Sequence, residues 1–102
     1  MNERTLTVSE LNNLIKTLID CEPLLYNVCI RGELSNYKIY PSGHHYFTLK
    51  DSESSLRCVM FKSSASKLRF RPESGMGVTA FGRVSVFPRD GAYQLYCTDL
   101  IP

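Results

Sequence analysis

The fold of this 102-residue chain is decided by the stretch SGHHYFTLKD, residues 42–51. A Ser-Gly turn opens this stretch, and a run of alternating character follows. The two alternating sets are His45, Phe47 and Leu49 on one side and Tyr46, Thr48 and Lys50 on the other. Because successive side chains of a strand point to opposite faces, this period of two predicts a half-buried strand. Its second face would display a ring, a hydroxyl and a cation.

Further strands are predicted on both sides of this stretch. The segment VCIRGELS, residues 28–35, alternates in the same way, and NYKIYPSGH, residues 36–44, is predicted to be a polar and aromatic loop. After a hairpin turn at DSESS comes LRCVMF, residues 56–61, with Arg57, Val59 and Phe61 expected on its outward face. KSSASKLRF, residues 62–70, is at most a short helical connector. Two more strands are predicted at VTAFGRVSVF, residues 78–87, and AYQLYCTDLI, residues 92–101.

An amphipathic helix is predicted before the strands. Thr7 and Glu10 have the spacing of a capping box, and apolar residues recur at helical spacing from Val8 to Ile19. Pro23 ends the pattern. Because a single apolar stripe must cover something, the helix is expected to lie on the open end or side of the sheet.

This order of elements predicts a mainly β protein with the oligonucleotide/oligosaccharide-binding fold, or OB-fold. That fold is a five-stranded barrel, here with an N-terminal helix and a short helix between strands 3 and 4. Gly32 and Gly82 agree with it, because a glycine inside a strand often marks the bulge or sharp coil that a small closed barrel needs. An SH3-like barrel or an open α+β sheet is the alternative. The length allows one core, so we expect a single domain over residues 1–102, with residues 1–25 as a helical extension.

Composition and charge favour a folded cytoplasmic protein with a polyanion-binding face. Hydrophobic residues make up 43% and charged residues 22% of the chain, which argues against disorder. The sequence has neither a membrane-spanning apolar run nor the pattern of a secretory signal, so a cytoplasmic location is expected. The net charge is only +2, but residues 31–89 hold ten basic residues against four acidic ones, a net charge of +6. Such asymmetry favours nucleic-acid binding, although a solvated basic surface would show the same counts.

The cysteines and histidines do not indicate a metal centre or a catalytic site. The four cysteines are Cys21, Cys29, Cys58 and Cys97, and they form no CxxC pair. Cys58 and Cys97 lie in apolar or aromatic runs, where a free thiol behaves as a small hydrophobe. His44 and His45 are adjacent at the start of a strand, so their side chains should diverge and make poor joint ligands. We therefore predict no metal, no cofactor and no catalysis by this chain alone.

The predicted binding surface is the outer face of strands two and three with the loops at its edges. Rings there would stack bases at about 1–3 kcal/mol each without regard to base identity, and cations would contact phosphates. The candidate residues are Asn36, Tyr37, Lys38, Tyr40, Ser42, Gly43, His44, Tyr46, Thr48, Lys50, Arg57, Phe61 and Arg89, with Phe87 and Tyr93 near the last turn. Ser42 and Gly43 are also expected to bring backbone N–H groups near a phosphate. Such a groove suits single-stranded nucleic acid, whose bases are free to lie on rings.

Seven motifs, in order along the chain, resemble one known family. They are VSELN, RGELSNYK, SGHHYFTLKD, LRCVMF, RPESGMGV, GRVSVF and GAYQLY. Together they resemble the N-terminal domain of the exodeoxyribonuclease VII large subunit family over nearly the whole chain. The family's signature stretch matches at Asn36, Lys38, Ser42, Gly43, His44, Tyr46 and Lys50, and Arg57 falls in the LRCVMF match. His45 departs from the pattern, which more often has a bulky apolar or aromatic residue there.

The resemblance implies a bacterial cytoplasmic nuclease that degrades single-stranded DNA into oligonucleotides. It also implies a catalytic region C-terminal to this domain and a small subunit that assembles on the large one, so this chain would be the DNA-binding part. The residues by themselves leave two other classes open. One is an OB-type RNA-binding or protein-interaction module, similar to the anticodon-binding domain of some aminoacyl-tRNA synthetases. The other is an independent metal hydrolase.

Overall fold

The computed structural model describes residues 5–102 and shows a closed barrel of five strands. The strands are β1 (Val28–Ile39), β2 (His45–Lys50), β3 (Ser55–Met60), β4 (Gly77–Phe87) and β5 (Ala92–Ile101). Helix α1 (Val8–Asp20) and a 3₁₀ turn (Pro23–Leu25) precede β1, and the one-turn helix α2 (Lys62–Ala65) lies between β3 and β4. The predicted mainly β barrel with its two helices is therefore confirmed.

The barrel closes through one short parallel contact. Going around it, the strand order is β1-β2-β3-β5-β4, and every other neighbouring pair is antiparallel. The parallel contact joins β3 to β5 at Cys58↔Leu95 and Val59↔Tyr96. It therefore places the outer face of β5 beside the outer face of β3.

Alternate strand residues meet in one core inside the barrel. Its buried members are Leu34, Phe47, Leu49, Cys58, Met60, Val78, Ala80, Val84, Leu95, Cys97 and Leu100. The burial of Leu34, Phe47 and Leu49 confirms the faces predicted for the first two strands. Burial raises the pKa of the Cys58 thiol to about 12 and that of the Cys97 thiol to about 11, so both stay protonated at neutral pH. The prediction that these two cysteines behave as core hydrophobes is confirmed.

Strands β4 and β5 approach each other closely at Gly82. The register of the two strands shifts between Phe81 and Gly82. A Cβ atom on Gly82 would lie 2.2 Å from the carbonyl oxygen of Tyr96 and 2.9 Å from the Cα atom of Cys97. Only glycine fits there, so the predicted irregularity at Gly82 is confirmed. At Gly32 no bulge is present, because β1 pairs regularly with β4 there and bulges further along, between Ser35 and Lys38. The sharp coil remains a prediction for Gly32.

Strand β1 continues to Ile39, so the prediction of a loop beginning at residue 36 is wrong. After the bulge the strand pairs again with β2, through Lys38↔Tyr46 and Ile39↔His45. Strand β3 ends one residue earlier than predicted, because Phe61 is the N-cap residue of α2. The first difference places Asn36, Tyr37 and Lys38 of the predicted binding surface in a strand instead of a loop. The second places Phe61 at a helix cap instead of in a strand.

Helix α1 begins with the predicted capping box. The Thr7 side chain accepts a hydrogen bond from the Glu10 N–H, and the Glu10 carboxylate accepts one from the Thr7 N–H. Of the predicted helical extension, residues 1–4 lie outside the described part of the chain. Within residues 5–102, neither helix has the length and apolar character that crossing a bilayer requires.

The expectation that the apolar stripe of α1 covers the barrel is wrong for most of the stripe. The exposed members are Val8, Leu11, Leu14, Ile15 and Leu18, with 41% to 76% of each residue accessible. Ile19 alone among the stripe packs against the core, and it does so only half-buried. The helix instead meets β4 through polar side chains, beginning with Asp20, which accepts a hydrogen bond from the buried Ser85 hydroxyl.

Candidate functional site

A groove of about 750 Å³ crosses the outer face of β2, β3 and β5. Its lining residues are Asn36, Lys38, Tyr40, Tyr46, Phe47, Thr48, Arg57, Cys58, Val59, Phe61, Phe87, Asp90, Gln94 and Tyr96. They come from the end of β1, the middle of β2 and β3, and the β4–β5 hairpin. This is the face on which the sequence predicted a binding surface.

Two pairs of aromatic rings stand on either side of a buried valine in this groove. The rings of Tyr40 and Tyr46 lie 4.7 Å apart between centroids, and those of Phe61 and Tyr96 lie 6.0 Å apart. Val59 is the register partner of Tyr46 on one side and of Tyr96 on the other. It faces the groove as predicted, yet it is only 3% exposed. The groove therefore has a closed apolar floor between two ring pairs.

Basic side chains lie next to these rings. Arg57 is the register partner of Thr48, and Lys38 is the partner of Tyr46, so both belong to the groove face. Just outside the groove, the guanidinium carbon of Arg83 lies 5.4 Å from the centroid of the Tyr96 ring, in the range of a cation–π contact. The ring pairs are therefore bordered by positive charge on more than one side.

The β1 bulge decides which side chains of this strand reach the groove. Three steps along β1, from Ser35 to Lys38, oppose only two steps along β2, from Thr48 to Tyr46. The extra residue is accommodated at Asn36, which has a φ of 51°, a left-handed conformation that asparagine tolerates better than most residues. Because one extra residue reverses the alternation, Asn36 and Lys38 face the groove.

Tyr37 is turned toward the barrel by the same reversal. Its ring stacks on Phe47 with 5.0 Å between centroids, and its hydroxyl lies 2.6 Å from Nδ1 of His45. Burial raises the pKa of the Tyr37 hydroxyl and lowers the pKa of His45, so the pair is held in its neutral form near neutral pH. His45 is therefore a half-buried residue with one hydrogen-bond partner, Tyr37, and it does not line the groove.

In the turn before β2, the N–H groups of Gly43 and His44 are hydrogen-bonded to other groups of the same turn. The N–H of Gly43, which has a φ of 90°, donates to the carbonyl of Tyr40 at 2.8 Å. The N–H of His44 donates to the Ser42 hydroxyl at 3.4 Å. Neither N–H is free to meet a phosphate in this structure, contrary to the expectation for this turn.

The two histidines have separate partners. Nδ1 of His44 accepts a hydrogen bond from the Lys62 N–H at 2.9 Å, and the His44 ring meets Phe61 edge to face at 5.2 Å. His44 therefore contacts a ring of the groove, whereas His45 bonds to Tyr37. Among residues 5–102, no three His, Cys, Asp or Glu side chains come together as metal ligands.

The groove brings together seven of the thirteen predicted site residues. These are Asn36, Lys38, Tyr40, Tyr46, Thr48, Arg57 and Phe61, and Phe87 joins them. The six that do not line it are Tyr37, Ser42, Gly43, His44, Lys50 and Arg89. Lys50 lies on the same strand face but beyond the end of the groove, where its ammonium pairs with Glu33 at 3.7 Å. Tyr93, named near the last turn, lines a different hollow with Lys50.

Six lining residues are absent from the sequence-based set: the buried Phe47, Cys58 and Val59, and also Asp90, Gln94 and Tyr96. Gln94 and Tyr96 alternate with the buried Leu95 and Cys97, which is a signal that they face outward. Only the parallel contact with β3 shows that this outward face continues the groove. Gln94, Asp90 and Asn36 add polar groups that can donate to or accept from base edges.

A protein-family model described as an OB-fold nucleic acid binding domain matches residues 6–101. The exodeoxyribonuclease 7 large subunit of Clostridium acetobutylicum is 54% identical to the chain over 99 residues, and that of Clostridium novyi is 55% identical over 100 residues. These alignments cover 97% and 98% of this chain but 25% of each relative. The chain thus spans about a quarter of the length of the curated relatives it matches.

Two solved structures share the barrel. The Schizosaccharomyces pombe Stn1–Ten1 complex aligns with a TM-score of 0.58 at 22% identity, over 74% of this chain and 56% of that one. Asparaginyl-tRNA synthetase from Pyrococcus horikoshii aligns with a TM-score of 0.58 at 19% identity, over 78% of this chain and 20% of that one. At these identities the likeness shows the fold alone.

Proposed function

The chain belongs to the family of OB-fold nucleic acid binding domains, and we propose on that premise that its groove binds single-stranded DNA for a nuclease. The observation that carries the proposal is the pair of ring platforms on either side of Val59, bordered by Lys38 and Arg57. Unpaired bases can lie on such rings while cations contact the phosphates between them. In a duplex the bases are already stacked on each other, so their faces are not available to stack on these rings.

The nuclease in this proposal resembles the relatives named exodeoxyribonuclease 7 large subunit. Since the chain corresponds to about a quarter of those proteins, we assign it the role of a substrate-binding domain, residues 1–102, with residues 1–25 as a helical extension. It would present single-stranded DNA to a catalytic region elsewhere in the parent protein, which degrades the DNA to oligonucleotides. The proposed setting is the bacterial cytoplasm, with a small subunit as the partner of the parent protein and no catalysis by this chain alone.

The proposal is tested by titrating the chain into labelled single-stranded and duplex DNA of the same sequence and following fluorescence anisotropy at two salt concentrations. We expect tighter binding of the single strand and weaker binding as salt rises, because phosphate contacts release counterions. An RNA of the same sequence is the third probe. Tighter binding of RNA would contradict the assignment to DNA, and no binding at low salt by folded protein would contradict binding by this groove.

Arg57→Ala is expected to reduce the salt dependence of this binding. Loss of one phosphate contact to a single strand lowers the slope of log K against log salt by about 0.7. The measurement is the same titration repeated over a salt series.

Lys50→Ala is the matched control for Arg57→Ala, because it removes a cation from the same sheet face outside the groove. Its slope is expected to equal that of the unaltered chain. If Lys50→Ala lowers the slope as much as Arg57→Ala does, the phosphate path does not follow the groove.

A further inference from the structure

One row of paired residues crosses all five strands of the barrel through the groove. The neighbouring strands pair at Lys38↔Tyr46, Tyr46↔Val59, Val59↔Tyr96 and Tyr96↔Arg83. The row takes one residue from each strand, in the order β1, β2, β3, β5 and β4. It has a cation at each end, a ring next to each cation and the buried Val59 at its centre. The first four residues line the groove, and Arg83 lies just beyond it.

The guanidinium of Arg83 is held in place but remains accessible. Its central carbon lies 5.4 Å from the centroid of the Tyr96 ring, so it stands over the outer face of the sheet. Its Nη1 atom lies 3.6 Å from Oδ1 of Asp20, which is longer than a hydrogen bond. The Arg83 side chain is 40% exposed. Its N–H donors can therefore reach a further acceptor at the end of the row.

Asp20 has closer partners than Arg83. Nζ of Lys16 lies 2.5 Å from Oδ2 of Asp20, and the Ser85 hydroxyl donates to Oδ1 at 2.5 Å. These hydrogen bonds from Lys16 and Ser85 lower the pKa of the Asp20 carboxyl, so it is charged at neutral pH. A partly exposed ion pair as long as the one with Arg83 contributes little stability. Arg83 therefore loses little free energy when it turns from Asp20 to another anion.

We propose that Arg83 binds a phosphate of the single strand, and that the strand crosses the barrel along this row, from Lys38 to Arg83. This inference rests on the proposed binding of single-stranded DNA by the groove. Bases lie on Tyr46 and Tyr96, on either side of Val59, while the cations at the two ends contact the backbone. A guanidinium suits this task because its planar donors can meet two phosphate oxygens at once.

The length of the row fits a short strand. Neighbouring strands of a sheet are about 4.8 Å apart, so four steps separate the two end residues by about 19 Å along the surface. A stacked nucleic-acid strand advances about 3.4 Å per nucleotide, so at most about six nucleotides lie between the two cations. This number lies within the roughly 4–16 nucleotides that an OB-fold covers. A probe of about 12 nucleotides is therefore long enough to reach both ends of the row.

The test is the anisotropy titration of Arg83→Gln with such a probe over a salt series. Loss of one phosphate contact should lower the slope of log K against log salt by about 0.7, which makes binding about fivefold weaker near 0.1 M salt. Arg83→Lys should restore the slope, because it keeps a cation that can neutralise the phosphate. The urea midpoint of each variant shows whether the fold is retained.

Arg31→Gln is the matched control, because it removes the same charge outside the row. Arg31 is an exposed residue of β1 opposite Thr79, four residues along β4 from Arg83. The slope of this variant should equal that of the unaltered chain. If it falls as much as that of Arg83→Gln, net charge rather than position decides the binding, and the proposal is overturned.

Asp20→Asn separates phosphate binding from a purely structural role of Arg83. If Arg83 only anchored α1 to β4, the loss of its ion pair with Asp20 would weaken DNA binding as Arg83→Gln does. If Arg83 binds phosphate, Asp20→Asn should bind DNA at least as tightly as the unaltered chain, because a competing carboxylate is gone. Equal losses in Asp20→Asn and Arg83→Gln therefore overturn the proposal.

The unaltered chain distinguishes a failure of this inference from a failure of the proposed function. If it binds single-stranded DNA and Arg83→Gln leaves the slope unchanged, only the path to Arg83 is overturned and the groove keeps its assignment. If the folded, unaltered chain does not bind single-stranded DNA at low salt, the proposed function fails, and this inference fails with it.

Discussion

Tyr46→Ala and Phe61→Ala should each weaken single-stranded DNA binding about 5- to 150-fold, the equivalent of 1–3 kcal/mol per stacked base. Each variant removes one ring from a different ring pair, so the combined variant should lose roughly the sum of the two free energies. Tyr46 is 39% and Phe61 46% exposed, so the fold should tolerate both changes. The measurement is the anisotropy titration at low salt, with the unfolding midpoint recorded for each variant.

Tyr93→Ala is the matched control for the ring variants. Tyr93 is 61% exposed on β5 but lines a different hollow from the groove. It should bind single-stranded DNA as the unaltered chain does. Equal losses in Tyr93→Ala and Tyr46→Ala would show that bases do not lie on the groove rings. An unchanged affinity in the combined variant would show the same.

Gly82→Ala should cost about 3 kcal/mol of unfolding free energy, the upper end of typical overpacking effects. The added methyl group would meet the backbone of Tyr96 and Cys97 at 2.2 to 2.9 Å. Backbone atoms held in the β5 ladder cannot move aside as a flexible side chain can. Since a domain of this size has only about 5–15 kcal/mol to lose, the urea midpoint should fall far below that of the unaltered chain.

Gly77→Ala gives the comparison on the same strand. Its Cβ would meet only the end of the Arg31 side chain, at 3.6 Å. The urea midpoint of this variant should stay close to that of the unaltered chain. If the two variants unfold at the same urea concentration, the close approach at Gly82 is not what excludes larger residues.

The features predicted correctly from sequence are those that depend on local pattern. Alternation placed Phe47 and Leu49 inside and Tyr46 outside, and the Thr7–Glu10 spacing gave the start of α1. A glycine within a strand often marks a bulge or a close approach of two backbones, and this signal located the irregularity at Gly82, although the same signal at Gly32 marks no bulge. Each of these signals lies within a few residues of the position it describes.

The features that sequence did not give depend on contacts between distant segments. The bulge at Asn36 reverses the alternation of β1, and nothing around this residue distinguishes a bulge from a loop. Tyr96 joins the groove only because β5 closes the barrel beside β3. The outward apolar side of α1 was unexpected because a stripe shows that something must be covered, but not by what.

The reactivity of the two buried thiols measures how often the barrel opens locally. Cys58 and Cys97 are 3% exposed and form no disulfide, whereas Cys21 and Cys29 are exposed. A thiol reagent attacks the thiolate, so it modifies the exposed pair at once and reaches the inner pair only during transient opening. The slow phase of modification therefore measures the free energy of local opening around Cys58 and Cys97, of which Cys58 lies at the contact where β3 meets β5. Because that contact joins the two sides of the groove, bound DNA should slow this phase without altering the fast one.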